Sequence, residues 1–215
     1  MPGILFTSIG WGNLGLRLND APEDVTRRRE NLRKSLSLQS LVFMKQTHSN
    51  RAELVDGSIP TIDSDAIVTS QRGVGLAVLV GDCLPILLRS AHGVAAIHAG
   101  RVGMVNGIVA STLSQLRSLG ESAIDAIIGP SICADCYEVS PEMYEEVVST
   151  VPAAATNPQV HQLNLQAGVT RQLANEGVEV LNMGICTKES ADFYSHRRSL
   201  SENLAEGRQV GVIYL

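Results

Sequence analysis

Aromatic residues make up only 4% of the 215 residues, too few for the stacking platforms that carry single-stranded nucleic acid. The formal net charge is −5 and the pI about 5.5, so the composition offers no basic surplus for a polynucleotide or an anionic bilayer. Lysine is scarce, with 3 residues against 14 arginines. From Ser118 to Thr170 there is neither, while Glu121, Asp125, Asp135, Glu138, Glu142, Glu145 and Glu146 accumulate. Such a run reads as a solvated acidic face. No apolar run is long enough to cross a bilayer; the longest, Gly73 to Leu88, is interrupted by Asp82. The N-terminus has no charged region and its apolar stretch stops at Thr7, unlike a signal peptide. Four cysteines are too few for a disulfide framework. A cytoplasmic protein with reduced thiols is expected, each thiol to be weighed as metal ligand or nucleophile.

With 44% apolar and 18% charged residues, the chain is globular, and residues 1–215 are expected to form a single domain. Four helical segments stand out. Pro22, Glu23 and Asp24 open one whose face carries Val25, Leu32 and Leu36. Met104 to Leu116 repeats at helical spacing, Ser140 and Pro141 open a third, and Leu165 to Leu173 forms a stripe ending at Gly177. Nine short β-branched or apolar runs lie between: 4–7, 41–45, 66–68, 75–80, 86–88, 94–97, 126–128, 178–181 and 209–214. Val151 to Gln159 reads as a surface loop. The order alternates only partly, which predicts a mixed α/β (α+β) layered structure, two mixed sheets packed together with about four helices outside.

Residues able to do chemistry fall at strand ends, where side chains from separate elements converge. His48 lies in Gln46-Thr47-His48-Ser49, Cys83 in Asp82-Cys83-Leu84-Pro85, and His98 in His98-Ala99-Gly100. One thiol and two imidazoles can supply three ligands to zinc and leave a fourth position open, as in catalytic sites. Their separations, 35 and 15 residues, match no local finger. A metal-free reading makes Cys83 a nucleophile with His48 or His98 as base. Asp82 suits either case, orienting an imidazole or completing a triad. The strand-to-helix turn at Gly100-Arg101 can bind an anion, or serve only close packing. Cys133-Ala134-Asp135-Cys136 has no second pair and reads as two structural thiols. Ser195-His196-Arg197-Arg198 is polar throughout, an exposed segment whose arginines can meet phosphate or carboxylate.

Together these segments resemble the YfiH-like family, also described as polyphenol oxidase or laccase-domain proteins, nearly end to end. Gly12-Asn13-Leu14-Gly15-Leu16, Gln46-Thr47-His48-Ser49, Asp65-Ala66-Ile67-Val68-Thr69, Asp82-Cys83-Leu84-Pro85-Ile86, His98-Ala99-Gly100, Gly129-Pro130-Ser131-Ile132, Cys136-Tyr137-Glu138-Val139 and Cys186-Thr187 carry the likeness. The resemblance implies a metal, zinc or sometimes copper, held by His48, Cys83 and His98. It implies phosphorolysis of adenosine, inosine and methylthioadenosine, some adenosine deamination, and a homodimer. Purine nucleoside and phosphate are then the small-molecule partners, with Arg101, Arg197 and Gln46 expected at the substrate and Asp82 beside the metal.

The chain departs from the family pattern in four places, the first being Leu32, which follows Asn31 where the family has Arg. His98-Ala99-Gly100-Arg101-Val102-Gly103 lacks the usual Trp and carries its Arg one position early, a rotation of about 100° on a helix. His196 replaces a Tyr, and Cys133 stands where Gly is usual. The competing readings are a cysteine- or metal-dependent hydrolase that edits a peptidoglycan precursor, a copper polyphenol oxidase, and a metal-stabilised binding domain.

Overall fold

The computed structural model describes residues 2–18, 20–120 and 122–215; of the segments read above, Met1 and Glu121 lie outside the described residues. Among those residues the strands form two sheets. The first has the order β1 (Gly3–Phe6), β11 (Gln209–Tyr214), β6 (Val74–Val80), β2 (Ser40–Met44), β4 (Thr61–Ile62). The second runs β10 (Glu179–Asn182), β9 (Asp125–Ile128), β7 (Leu84–Arg89), β8 (Val94–Ala99), β5 (Ala66–Thr69), β3 (Ala52–Leu54). Both mix directions: β6 is antiparallel to β11 and parallel to β2, and β9 is antiparallel to β7 and parallel to β10. This is the expected mixed α/β architecture with two packed sheets.

Strand periodicity explains the layering. Side chains alternate across a strand, so Leu84, Ile86 and Leu88 of β7 face the outer helices while Leu87 points between the sheets. On β8, Ala95, Ile97 and Ala99 take the helical side and Val94 and Ala96 the inter-sheet side. Strands buried on both faces read as continuous apolar runs. The same alternation carries His98 toward the inter-sheet layer at the end of β8. That register positions the site.

Outside the second sheet lie α2 (Arg101–Val105), α3 (Ile108–Arg117), α4 (Pro141–Thr150) and α5 (Leu165–Asn175), burying Met104, Ile108, Leu113, Val169 and Leu173 against it. Outside the first lies α1 (Pro22–Ser35), whose Leu32 is fully buried with Leu14, Phe43 and Val212. Each such burial stabilises the fold by about 1.5–3 kcal/mol. Pro22 opens α1, the Ser140 hydroxyl accepts the Met143 amide at 3.3 Å, and the Asn164 side chain accepts that of Ala167 at 2.9 Å. No described helix is long and apolar enough to cross a membrane.

Four features differ from expectation. The stripe over Met104–Leu116 is two helices, because Gly107 takes a left-handed φ of 85° that interrupts the first. His196–Glu202 is a helix, α6, so the polar segment expected to be exposed is half-buried at Arg197 and Arg198 and buried at Ser195. Strands β3 and β4 were not foreseen; three and two residues are too short to show a period. The loop from Val151 sinks Val151 and Ala154 into the core and ties Thr156 to Tyr144, whose hydroxyl donates to its carbonyl at 3.0 Å.

Candidate active site

His48, Cys83 and His98 meet where β2, β6 and β8 end and β7 begins. One ligand atom from each lies within 4.8 Å of the others. Cys83 Sγ is 3.7 Å from His48 Nε2, and the two imidazole rings meet edge to face with centroids 4.8 Å apart. His48 is exposed, Cys83 partly buried and His98 buried, so the cluster opens to solvent on the His48 side.

Asp65 organises this arrangement. It is fully buried, and its carboxylate accepts the backbone N–H groups of Thr47 at 3.1 Å, His48 at 3.0 Å and Ser49 at 2.7 Å, with the Ser49 hydroxyl at 2.7 Å. These bonds wrap the His48 loop around one side chain and hold His48 at φ 61°. The Asp65 carboxylate also receives His98 Nδ1 at 2.8 Å, which leaves His98 Nε2 facing Cys83. Burial pushes the Asp65 carboxyl up, but His98, Ser49 and Thr47 outweigh it and hold the group well below the usual carboxylate range. Sequence reasoning placed Asp82 in this orienting role. The signal for Asp65 was its position opening Asp65-Ala66-Ile67-Val68-Thr69, but nothing local says which histidine it meets.

Asp82 instead faces away from the imidazoles. Its carboxylate accepts the Thr187 hydroxyl and the Arg197 backbone N–H, both at 2.7 Å, and its carbonyl accepts the Ile132 amide at 2.9 Å. Its φ of 129° is rare for a residue with a side chain and costs about 1–3 kcal/mol, which those bonds offset. Asp82 thus sets the turn that presents Cys83. Gln46 is equally committed: its amide donates to the Leu79 carbonyl at 2.7 Å and accepts the Leu79 N–H at 2.9 Å. With both ends bonded to Leu79 it anchors the loop to β6. Gly100 leaves room for the cluster. A Cβ there would stand 2.6 Å from His48 Cδ2 and 3.1 Å from Cys83 Sγ.

In the metal-free protein, burial raises the Cys83 thiol, but His98 and His48 more than reverse this and draw it to about 6. Burial lowers His98, while Cys83 and Asp65 raise it to about 9. The donor set fits a metal: a low-lying thiol, two imidazoles, and a carboxylate fixing the free nitrogen of one of them. It does not choose between zinc and copper.

Two arginines border the cluster. Arg197, at the start of α6, lies over the Tyr137 ring with its guanidinium carbon 4.9 Å from the centroid and donates to the Glu138 carbonyl at 2.8 Å. Arg101, which follows Gly100 at the start of α2, stands 3.9 Å from Glu146. Burial, then the neighbouring Cys83, raises the Tyr137 phenol despite both arginines, so it remains a hydrogen-bond donor at neutral pH. Tyr137 thus lies under Arg197 at the edge of the site, a placement the sequence reading did not assign. Arg198 is spent on structure, donating to the carbonyls of Thr187, Lys188, Ser190 and Phe193. The other histidines are elsewhere: His196 pairs with Glu206, His161 stacks on Tyr144, and His92 packs at Gly120.

Comparison with known proteins shows the family and the fold. A Streptomyces coelicolor protein named purine nucleoside phosphorylase is 40% identical over 215 residues, covering 94% of this chain and 87% of its own length. A Corynebacterium glutamicum protein of the same name is 38% identical over 216 residues, covering 94% and 86%. Among solved structures, a Neisseria meningitidis protein, NMB0706, superposes with a TM-score of 0.86 at 28% identity, covering 100% of this chain and 94% of its own. The Bacillus licheniformis protein YfiH superposes with a TM-score of 0.87 at 25% identity, covering 100% and 92%. The family described as multi-copper polyphenol oxidoreductase laccase matches residues 6–215, and the chain belongs to that family.

Proposed function

We propose that this protein is a purine nucleoside phosphorylase that cleaves inosine, adenosine and methylthioadenosine with phosphate and deaminates adenosine as a side reaction. The observation that carries the reading is an open Cys/His2 cluster with a cation at its edge, Arg197, whose backbone N–H bonds Asp82 next to Cys83 and whose guanidinium lies over Tyr137. The names of the Streptomyces and Corynebacterium relatives support it. Phosphorolysis requires a phosphate oxygen to bond to the anomeric carbon while the bond from that carbon to the purine nitrogen breaks.

Arg197 and Arg101 supply charge-assisted donors for the phosphate, and Tyr137 a neutral one. Arg197 is steadied by its bond to Glu138 and by its backbone N–H on Asp82, so its position is set before substrate arrives. His98 keeps its Nδ1 proton on Asp65, which fixes the orientation of the imidazole. His48 and Cys83 form the exposed lip of the cluster. Zinc, or copper, held by His48, Cys83 and His98 would supply a Lewis-acid charge for a substrate oxygen and acidify water for deamination.

The 3.7 Å approach of Cys83 to His48 favours one second reading, a cysteine hydrolase with Cys83 as nucleophile. Both are tested by incubating the protein with inosine, with and without phosphate, beside a Cys83→Ala variant. Phosphate-dependent hypoxanthine release that disappears in the variant is expected. Its absence at every phosphate concentration with metal-loaded protein overturns the phosphorylase reading for inosine. Iodoacetamide labelling of Cys83 that substrate amides block then points to the hydrolase.

A further inference from the structure

The Cys133-x-x-Cys136 pair, without a partner in the sequence, acquires one in space. Cys133 caps a 3-10 turn over Ala134–Cys136, in which the Cys136 amide donates to the Cys133 carbonyl at 3.3 Å. This folds both thiols to one side. Cys186 reaches them through the parallel bridge of Ser131 with Cys186, and the Cys133 N–H donates to Cys186 Sγ at 3.4 Å. Glu189 follows three residues later, and one donor atom from each of Cys133, Cys136, Cys186 and Glu189 lies within 4.8 Å of the others. All three thiols are free.

We propose that Cys133, Cys136, Cys186 and Glu189 form a second metal centre that binds a divalent, thiophilic cation of the zinc class. Three sulfurs and one oxygen complete a closed four-coordinate set, the pattern of structural rather than catalytic sites. Tetrahedral zinc with bonds of about 2.3 Å places sulfurs about 3.8 Å apart, within a rotamer adjustment of the observed spread. The N–H on Cys186 is the outer bond that thiolate ligands receive in such centres. The centre would also brace the first site from behind. Thr187 follows Cys186, donates its N–H to the Ser131 carbonyl at 3.1 Å, and gives its hydroxyl to Asp82.

The test reads metal uptake, so it stands apart from the phosphorylase reading. Chelator-stripped, fully reduced protein is titrated with Co2+ without oxygen. Two equivalents per chain are expected, one of them carrying about three times the sulfur-to-cobalt absorption of the other, since it has three thiolates against one. Cys83→Ser should keep the stronger band and Cys136→Ser should lose it. Where Cys136→Ser fails to fold, the Cys83→Ser protein decides alone: Co2+ should shield Cys133, Cys136 and Cys186 from iodoacetamide. A Cys83→Ser protein that gains no thiolate band, or three thiols alkylated equally fast with and without Co2+, overturns the proposal.

Discussion

The two thiol clusters are built by opposite means. His48, Cys83 and His98 come from three separate strand ends and are aimed by one buried carboxylate and an unusual backbone at His48 and Asp82. Cys133 and Cys136 share a single 3-10 turn, joined by Cys186 across one bridge, and among the described residues the outer hydrogen bond on these sulfurs is the Cys133 N–H. The first has strained, oriented donors and an exposed edge, as catalytic sites do. The second has four donors and no such orientation, which suits a staple. Strain and orientation therefore mark chemistry more reliably than the count of ligands does.

That contrast can be broken. Cys83→Ala should remove turnover below detection while leaving the melting temperature nearly unchanged, since Cys83 is only partly buried; parallel assays and thermal melts check both. Gly100→Ala should act almost as strongly. Its φ of −81° accepts a side chain, but the new methyl meets His48 Cδ2 at 2.6 Å, so the mobile ring gives way and activity falls without loss of fold. An equal loss of stability would show that the backbone, not His48, absorbs the clash.

Asp65→Asn sharpens the comparison from the other side. Removing the charge that orients His98 and gathers the His48 loop should cost about 10–100-fold in metal affinity or activity, measured by metal titration beside initial rates. Uptake at the three-cysteine cluster should be untouched. A smaller effect is expected at the start of α6, where Glu206 meets His196 and Arg208. Burial raises the Glu206 carboxyl but His196 and Arg208 bring it below its usual value. A lowered carboxyl stabilises above its unfolded value, and the gain is lost as pH falls through the folded one. Glu206→Gln should thus cost about 0.2–1 kcal/mol at pH 7 and nothing once pH drops well below about 4, read from urea midpoints across pH.

Much of the layered fold was legible because strand runs buried on both faces are nearly continuously apolar, as β6 is throughout and β7 and β8 are up to Arg89 and His98. The helix starts at Pro22 and Ser140 were legible because they use local chemistry. Gly107 was not, since a glycine within a helical stripe can be tolerated or can break it. For the site, Cys83, His48 and His98 stood out by type and by position at strand ends. The reach of Gln46 to Leu79, of Asp82 to Thr187 and of Asp65 to His98 spans 33, 105 and 33 residues. No local pattern encodes a partner at such range.

The sequence by itself determined the alternation that builds two sheets, the helix entries, and which residues can ligate or react, because these depend on propensity and side-chain chemistry within a few positions. Tertiary structure alone decided which carboxylate orients which imidazole, that Arg197 lies over Tyr137, and that a lone Cys-x-x-Cys finds Cys186. Those outcomes follow from strand register and from loops folded around buried polar groups, whose hydrogen bonds must be satisfied by whatever the fold brings near.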